Sequence, residues 1–508
     1  MGYSDERLAG GTSRPASVRI NALVHQAMVP GLVVGGGRPT VHSRQMRRGA
    51  PRAKDGGVFD RTGRSAHAVA RRRPRPFRNA TTVLSTRSLS RLFVAACLAV
   101  SSVDALLAAG SSGRGVAASL FESQQSLVYQ IRVIDTVSGD KVSIGSGFRV
   151  SPDGVVATNF HVVAAFVHEP EKYRLEYVTR DGASGGLALS AVDVVHDLAL
   201  VRADLPGERA LELATAPLSQ GDRIYSMGNP QDLGMTIIEG TYNGLVSVSR
   251  YEKILFSGSL NPGMSGGPTM TADGTVMGVN VSKGGEQISF LVPAKYLAAL
   301  IERASRDPRA VDSSRSIRDA VFADQAEFYR AMLSAPLETA RYGAFELPER
   351  ITPAVKCWGH SDEGAEAERY RRSRRHCATE DVIYIDEGFV TGELYYDYEW
   401  MTSGELNVFQ FYSAVASRYR HRPHQNTFDT EDVGGYECVD DFIEVAGHTF
   451  KASSCQRAYL EYPGLYDLSF VMTSVDMSDR ALILRIGATG IGRREAVLLL
   501  RRFLEAIR

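Results

Sequence analysis

The chain has 508 residues, so at about 150 residues per domain it holds two to four domains. Its formal charge is zero, but residues 1–91 carry 18 Lys/Arg against 4 Asp/Glu, whereas the chain beyond residue 105 holds 40 basic and 53 acidic residues. A basic, low-complexity head therefore precedes an acidic body. It lacks the aromatic interleaving of a nucleic-acid binder and reads as a solvated, disordered arm over residues 1–118.

The head ends in "RSLSRLFVAACLAVSSVDALLAAGSSG". Arg87 and Arg91 precede an apolar run over 92–100, and a V-x-A step joins Val103 to Ala105. This is the shape of a secretory signal at about 84–105. Such a signal belongs at an amino terminus, so the translation start is expected downstream of Met1, near Val83 read from a non-ATG codon. The rival readings are a single anchor helix and a lipid-modified Cys97. The run is short for a span of ~20 residues, and only five apolar residues precede Cys97. A periplasmic or secreted bacterial protein follows, with no stable membrane insertion once the signal is removed.

From Ser126 short apolar runs alternate with polar residues and turn signals: "SLVYQIRVID", "GSGFRV", Pro152-Asp153-Gly154, "VVATNF", "YRLEYVT", "LALSAVDVV", "LALVRA". Many short strands punctuated by Asp-Gly and Gly-Gly predict a β sandwich or barrel. Residues 203–213 read as a linker to a second run of strands, from "DRIYSMG" to "QISFLVP", and "AKYLAALIERAS" as an amphipathic helix. The expectation is a mainly β domain over 119–305 with lobes at about 119–205 and 212–295. A helical linker over 306–340 follows.

Residues 341–508 are aromatic-rich and predict an α+β domain. "GELYYDYEW" and "LNVFQFYSAV" read as strands. The terminal "ALILRIGATGIGRREAVLLLRRFLEAI" reads as strand, glycine turn and helix. Cys357, Cys377, Cys438 and Cys455 all lie here. An even number of cysteines behind an export signal suggests disulfides, with 357–377 and 438–455 the simplest of three pairings. A metal cluster is the rival, since "CWGH" is C-x-x-H and His376 abuts Cys377. A metal enzyme in this domain could draw on His360, His376, His421, His424 and His448, but none forms a recognised ligand pattern and scattered surface histidines are the plainer account.

The chemistry-bearing residues are scattered. "NPGMSGGP" holds Ser265 among glycines, where a turn serine is the ordinary reading. An activated serine needs a base to take its proton and an acid to orient that base. His161 stands at the end of the apolar strand "GVVATNF", with His168 as a weaker rival. Asp197 precedes the buried-strand pattern Leu-Ala-Leu-Val, where an aspartate rarely enters unpaired; Asp193 is the competing acid. The order His161, Asp197, Ser265 across two β lobes is that of the chymotrypsin arrangement.

Residues 123–300 resemble the protease domain of the HtrA/Deg group of trypsin-like serine proteases. The matching blocks, in order, are "GSGFRVSPDGVVATNFHVV", "HDLALVR", "MGNPQDLGMTIIEGTYNGLVSV", "LNPGMSGGP" and "GTVMGVNVS". The resemblance implies a chymotrypsin-like pair of six-stranded barrels. It makes His161 the general base, Asp197 its orienter and Ser265 the nucleophile. The Gly263 and Ser265 N–H groups would form the oxyanion hole, and Ser259, Leu260 and Asn261 would line the primary specificity pocket. None of these three is charged, and Leu260 suggests an apolar scissile residue of small or medium size. Two departures stand out. Met264 replaces the group's usual Asn, leaving the loop without a polar brace and making its shape dependent on substrate. No carboxylate-binding loop of a PDZ domain is visible in 341–508, which puts peptide-triggered activation and cage oligomers in doubt.

The reading is an exported serine endopeptidase acting on proteins or peptides, without cofactor or metal and without nucleic acid. The sequence allows an oligomer without indicating one. The alternative is a catalytically silent binding module that keeps the fold, with recognition by the last domain. No phosphate loop, dinucleotide fingerprint or zinc-protease motif is present.

Overall fold

The strands expected after Ser126 close into two six-stranded barrels in the computed structural model, which describes residues 115–508 apart from 206, 208, 217, 307–311, 363–368 and 423–431. Residues 1–114, which hold most of the basic head, the signal segment at 84–105 and Cys97, lie outside the described residues, as does His424. The last residues of the expected disordered arm, 116–118, instead begin a helix that runs to Gln124. Among the described residues no helix is long and apolar enough to cross a membrane.

Helix α1 (Val116–Gln124) leads into the first barrel: β1 (Val128–Asp135), β2 (Lys141–Arg149), β3 (Val155–Thr158), β4 (Tyr173–Val178), β5 (Ser184–Asp193) and β6 (Leu198–Ala203). Helix α2 (Phe160–His168) lies between β3 and β4. The second barrel holds β7 (Arg223–Gly228), β8 (Thr236–Leu245), β9 (Ile254–Phe256), β10 (Pro268–Met270), β11 (Val276–Gly285) and β12 (Ile288–Pro293). The closed orders are β1-β2-β3-β6-β5-β4 and β7-β8-β9-β12-β11-β10. The two barrels therefore share one topology, and closure leaves no free strand edge in either.

Apolar side chains fill the barrels and weld them together. Phe148, Leu198 and Leu200 of the first barrel pack with Met227, Met270 and Val279 of the second. Helix α3 (Ala294–Arg306) seals this seam with Leu297 and Leu300, three residues apart on one helical face. Within the expected linker over 203–213, Leu211 is packed rather than loose: it is buried, and its N–H donates to the Arg149 carbonyl.

The expected linker over 306–340 is mostly helix α4 (Ser313–Ser334), started by the Asp312 carboxylate accepting from the Arg315 N–H. It serves as a spine. Ile317 and Val321 enter the core of the first barrel, while Tyr329 and Met332 enter the core of the last domain.

The last domain contains β13 (Thr339–Tyr342), β14 (Phe345–Pro348), β15 (Val355–Ser361), β16 (Arg371–Thr379), β17 (Ile383–Asp386), β18 (Phe389–Thr391) and β19 (Leu394–Thr402). After these come α5 (Val408–Arg418), β20 (Glu437–Val445), β21 (His448–Ala458), β22 (Leu465–Ser474), β23 (Arg480–Gly492) and α6 (Arg493–Glu505). Seven strands form one antiparallel sheet, β15-β16-β19-β23-β22-β21-β20, while β17 and β18 make a separate hairpin. Leu499, Leu500 and Phe503 of α6 share one core with Tyr396, Tyr398, Leu484 and Ile486 of the sheet, an α+β arrangement.

Two disulfides join directly facing residues, Cys357 to Cys377 and Cys438 to Cys455. Each staples an edge strand of the sheet, β15 or β20, to its neighbour. That is the local pairing, and it takes up the cysteine of the C-x-x-H string.

Three local expectations are corrected. "LNVFQFYSAV" contains helix α5, because Asn407 and Gln410 cap each other reciprocally and Phe411 and Val415 bury one face. "GATGIG" is no turn: β23 runs through it into α6, and a Cβ at Gly487 would lie 2.2 Å from the Tyr395 ring. His161 is not at a strand end. Strand β3 stops at Thr158, and His161 sits in the first turn of α2.

Candidate active site

The fold brings His161 and Asp197 together from elements 36 residues apart. Asp197 follows β5 with a positive φ of 54°, a conformation that aspartate adopts more readily than most residues. Its carboxylate accepts from His161 twice, from the backbone N–H (2.9 Å) and from ring Nδ1 (2.7 Å). The Asn159 amide fixes the Asp197 carbonyl (2.8 Å). Because the carboxylate can only accept, Nδ1 carries the proton in the neutral ring, leaving Nε2 as the proton acceptor. Burial disfavours the charged ring, but the Asp197 charge and hydrogen bond outweigh it and hold the His161 pKa above the ordinary 6.5. The rival acid Asp193 is engaged elsewhere, bonding His196 Nδ1 at 3.0 Å. The rival base His168 points its Nε2 at the Ile385 carbonyl, at 2.9 Å.

Ser265 lies in the loop before β10. Asn261-Pro262-Gly263-Met264 forms a tight turn closed by the Met264 N–H on the Asn261 carbonyl (3.0 Å). Gly263 has φ 93°, which suits the third position of a type II turn after proline. The Pro262 carbonyl accepts from the Gln231 N–H (2.8 Å), so the trans peptide turns the Gly263 N–H to the opposite side. Neither the Gly263 nor the Ser265 N–H donates to a protein acceptor among the described residues. The Ser265 hydroxyl donates to the Val281 carbonyl (2.9 Å), and no hydrogen bond joins it to His161.

Polar braces that the sequence reading passed over hold this loop. The Ser146 N–H donates to the Ser265 carbonyl (2.7 Å), and its hydroxyl to the Gly263 carbonyl (2.7 Å). Asn280 is fully buried; its amide donates to the Met227 and Met264 carbonyls (3.1 Å each) and accepts from Ser226 and Thr269. Gly266, with φ 84°, allows a close approach, since a Cβ there would lie 2.2 Å from the Ser146 carbonyl oxygen. The signal for Asn280 was available: a polar residue inside the apolar strand "GVNVS" needs partners. Met264 is fully buried and packs with Ile224, Phe256 and Leu291, so its side chain anchors the loop through the second barrel's core. Leu260 is also only 4% exposed and belongs to that core. Of the expected pocket residues, Asn261 is exposed and Ser259 half-buried.

Two barrels of one topology, with a histidine–aspartate pair in the first and a glycine-framed serine in the second, define a chymotrypsin-type serine peptidase fold. The family model of the trypsin-like peptidase domain matches residues 145–279, a span containing all three residues. The chain is 34% identical to serine protease HTRA1A of Danio rerio, over 32% of this chain and 36% of that protein. It is 30% identical to mitochondrial serine protease HTRA2 of Drosophila pseudoobscura pseudoobscura, over 34% and 42%. A serine endoprotease structure from Yersinia pestis matches at 23% identity and TM-score 0.33, covering 37% of this chain and 66% of that one. This part of the molecule is an HtrA-like, trypsin-like peptidase domain. The chain spans 36% to 42% of the length of these two curated relatives.

Proposed function

We propose that the protein is an exported serine endopeptidase that hydrolyses peptide bonds through an acyl-enzyme on Ser265. Neutral His161 takes the serine proton through Nε2 and returns it to the leaving amine. Asp197 fixes the ring's tautomer and stabilises the imidazolium. The unpartnered N–H groups of Gly263 and Ser265 receive the oxyanion, an interaction worth about 100- to 1000-fold in rate per donor. Before attack the Ser265 hydroxyl rotates from the Val281 carbonyl to His161; hydrogen bonds of this kind often tighten only on binding substrate. An apolar scissile residue of small or medium size fits a pocket loop without charge. Two disulfides and the basic-then-apolar segment at 84–105 support export.

The observation that carries this reading is the His161–Asp197 pair in one barrel beside a braced loop with two free N–H donors in the other. The resting Ser265–Val281 bond is the one feature that favours a silent binding module. The test is hydrolysis of an unfolded protein substrate by the purified chain and by Ser265→Ala. Cleavage only by the former supports the peptidase; equal products from both, or none, reject it.

A further inference from the structure

The segment over 381–391 of the last domain reaches the cleft and grips both barrels. Buried Asp381 accepts from the Ser249 hydroxyl (2.9 Å), the Arg250 N–H and the Lys253 ammonium, all between β8 and β9. On the other side, Ile383, Ile385 and Phe389 join the core cluster that includes Val163 and Val167 of α2. His168, at the end of the same helix, bonds the Ile385 carbonyl. Between these anchors, Tyr384 stands edge-on to the His161 ring, with centroids 6.1 Å apart, and to Phe160 at 6.5 Å.

Beside this contact lies a cavity of about 270 Å³. Asp197, the histidine's partner, and Val281, the residue that holds the Ser265 hydroxyl, line it from the barrels. Tyr251 and Phe290 add apolar wall, and Val382 and Tyr384 supply the face from the last domain. Ser259, Leu260 and Asn261 do not border it. Its rim carries both signs, Glu252 and Glu380 against Lys253, so charge alone selects nothing there.

We propose that this cavity is a substrate side-chain subsite shared between the barrels and the last domain, taking one large apolar side chain that flanks the scissile residue. The inference rests on the peptidase reading and gives residues 381–391 a role in choosing substrates. Tyr384 and Val382 are then specificity-determining residues outside the peptidase domain. Val382 is 45% exposed, so its replacement reaches the subsite without disturbing a core.

The test is a peptide-library cleavage profile of the full chain, with Val382→Asp, Val382→Lys and Tyr384→Ala. The acylation rate of Ser265 by a small fluorophosphonate serves as reference. Relative to that rate, Val382→Asp loses about tenfold or more on peptides with Leu, Met or Phe at one position beside the scissile residue, the size of a hydrophobic-pocket contact. It gains for Lys or Arg at that position, and Val382→Lys gains for Asp or Glu. Tyr384→Ala flattens the preference there. Wild-type profiles from both Val382 variants overturn the inference, as does Tyr384→Ala speeding every peptide equally, which makes the ring an obstruction. A wild-type chain that neither labels nor cleaves rejects the peptidase reading itself.

Discussion

Replacing Asn280 by Ala isolates the buried brace of the serine loop. The side chain makes four hydrogen bonds, two donated to Met227 and Met264 and two accepted from Ser226 and Thr269. Asn280, Ser226 and Thr269 are all fully buried, so water does not replace the lost partners. At about 0.5–1.5 kcal/mol per bond, the loss comes to about 4 kcal/mol. That is a large part of an ordinary domain's stability. Ser226→Ala removes one of the four bonds and costs about 1 kcal/mol on the same scale. Urea unfolding of the two variants measures the difference. Fluorophosphonate labelling of the still-folded protein reads the loop, and Asn280→Ala slows it about 100-fold, the order expected for a misplaced oxyanion donor. A variant within 1 kcal/mol of wild type that labels at the wild-type rate refutes the assignment of Asn280 as the brace.

The His161 pKa lies above 6.5, so kcat/KM falls as pH drops through a midpoint above that value, measured on a fixed peptide. Since the folded state favours the protonated ring, the pair's contribution to stability is full below the unfolded pKa and fades as pH rises through the folded one. Asp197→Asn lowers kcat about 10⁴-fold by disturbing the tautomer, and moves the acidic limb to lower pH by removing the charge that raises the pKa. Reducing the disulfides, which join residues 20 and 17 apart, destabilises the last domain by about 3 kcal/mol each. Urea unfolding with and without reductant checks this, and unchanged midpoints contradict it.

Much of the barrel pair was legible because alternation, Asp-Gly turns and the spaced residues His161, Asp197 and Ser265 are each local patterns. Local propensity misled where a tertiary partner decides the outcome. "LNVFQFYSAV" carries strand-forming aromatics, yet the Asn407–Gln410 cap starts a helix. Met264 looked like a missing polar brace, because the brace came from Ser146 and Asn280, 118 residues before it and 16 after it in sequence. The approach of Tyr384 to His161 joins positions 223 apart, which no periodicity could reveal.

The central claim is that Ser265 is a nucleophile activated by His161. Its most direct test is the intact mass of the folded chain after exposure to a fluorophosphonate at pH 8, with the adduct mapped by peptide sequencing. One adduct on Ser265, absent in Ser265→Ala and strongly slowed in His161→Ala, is the predicted result. No adduct on the folded wild-type chain, or an adduct that forms equally fast without His161, contradicts it.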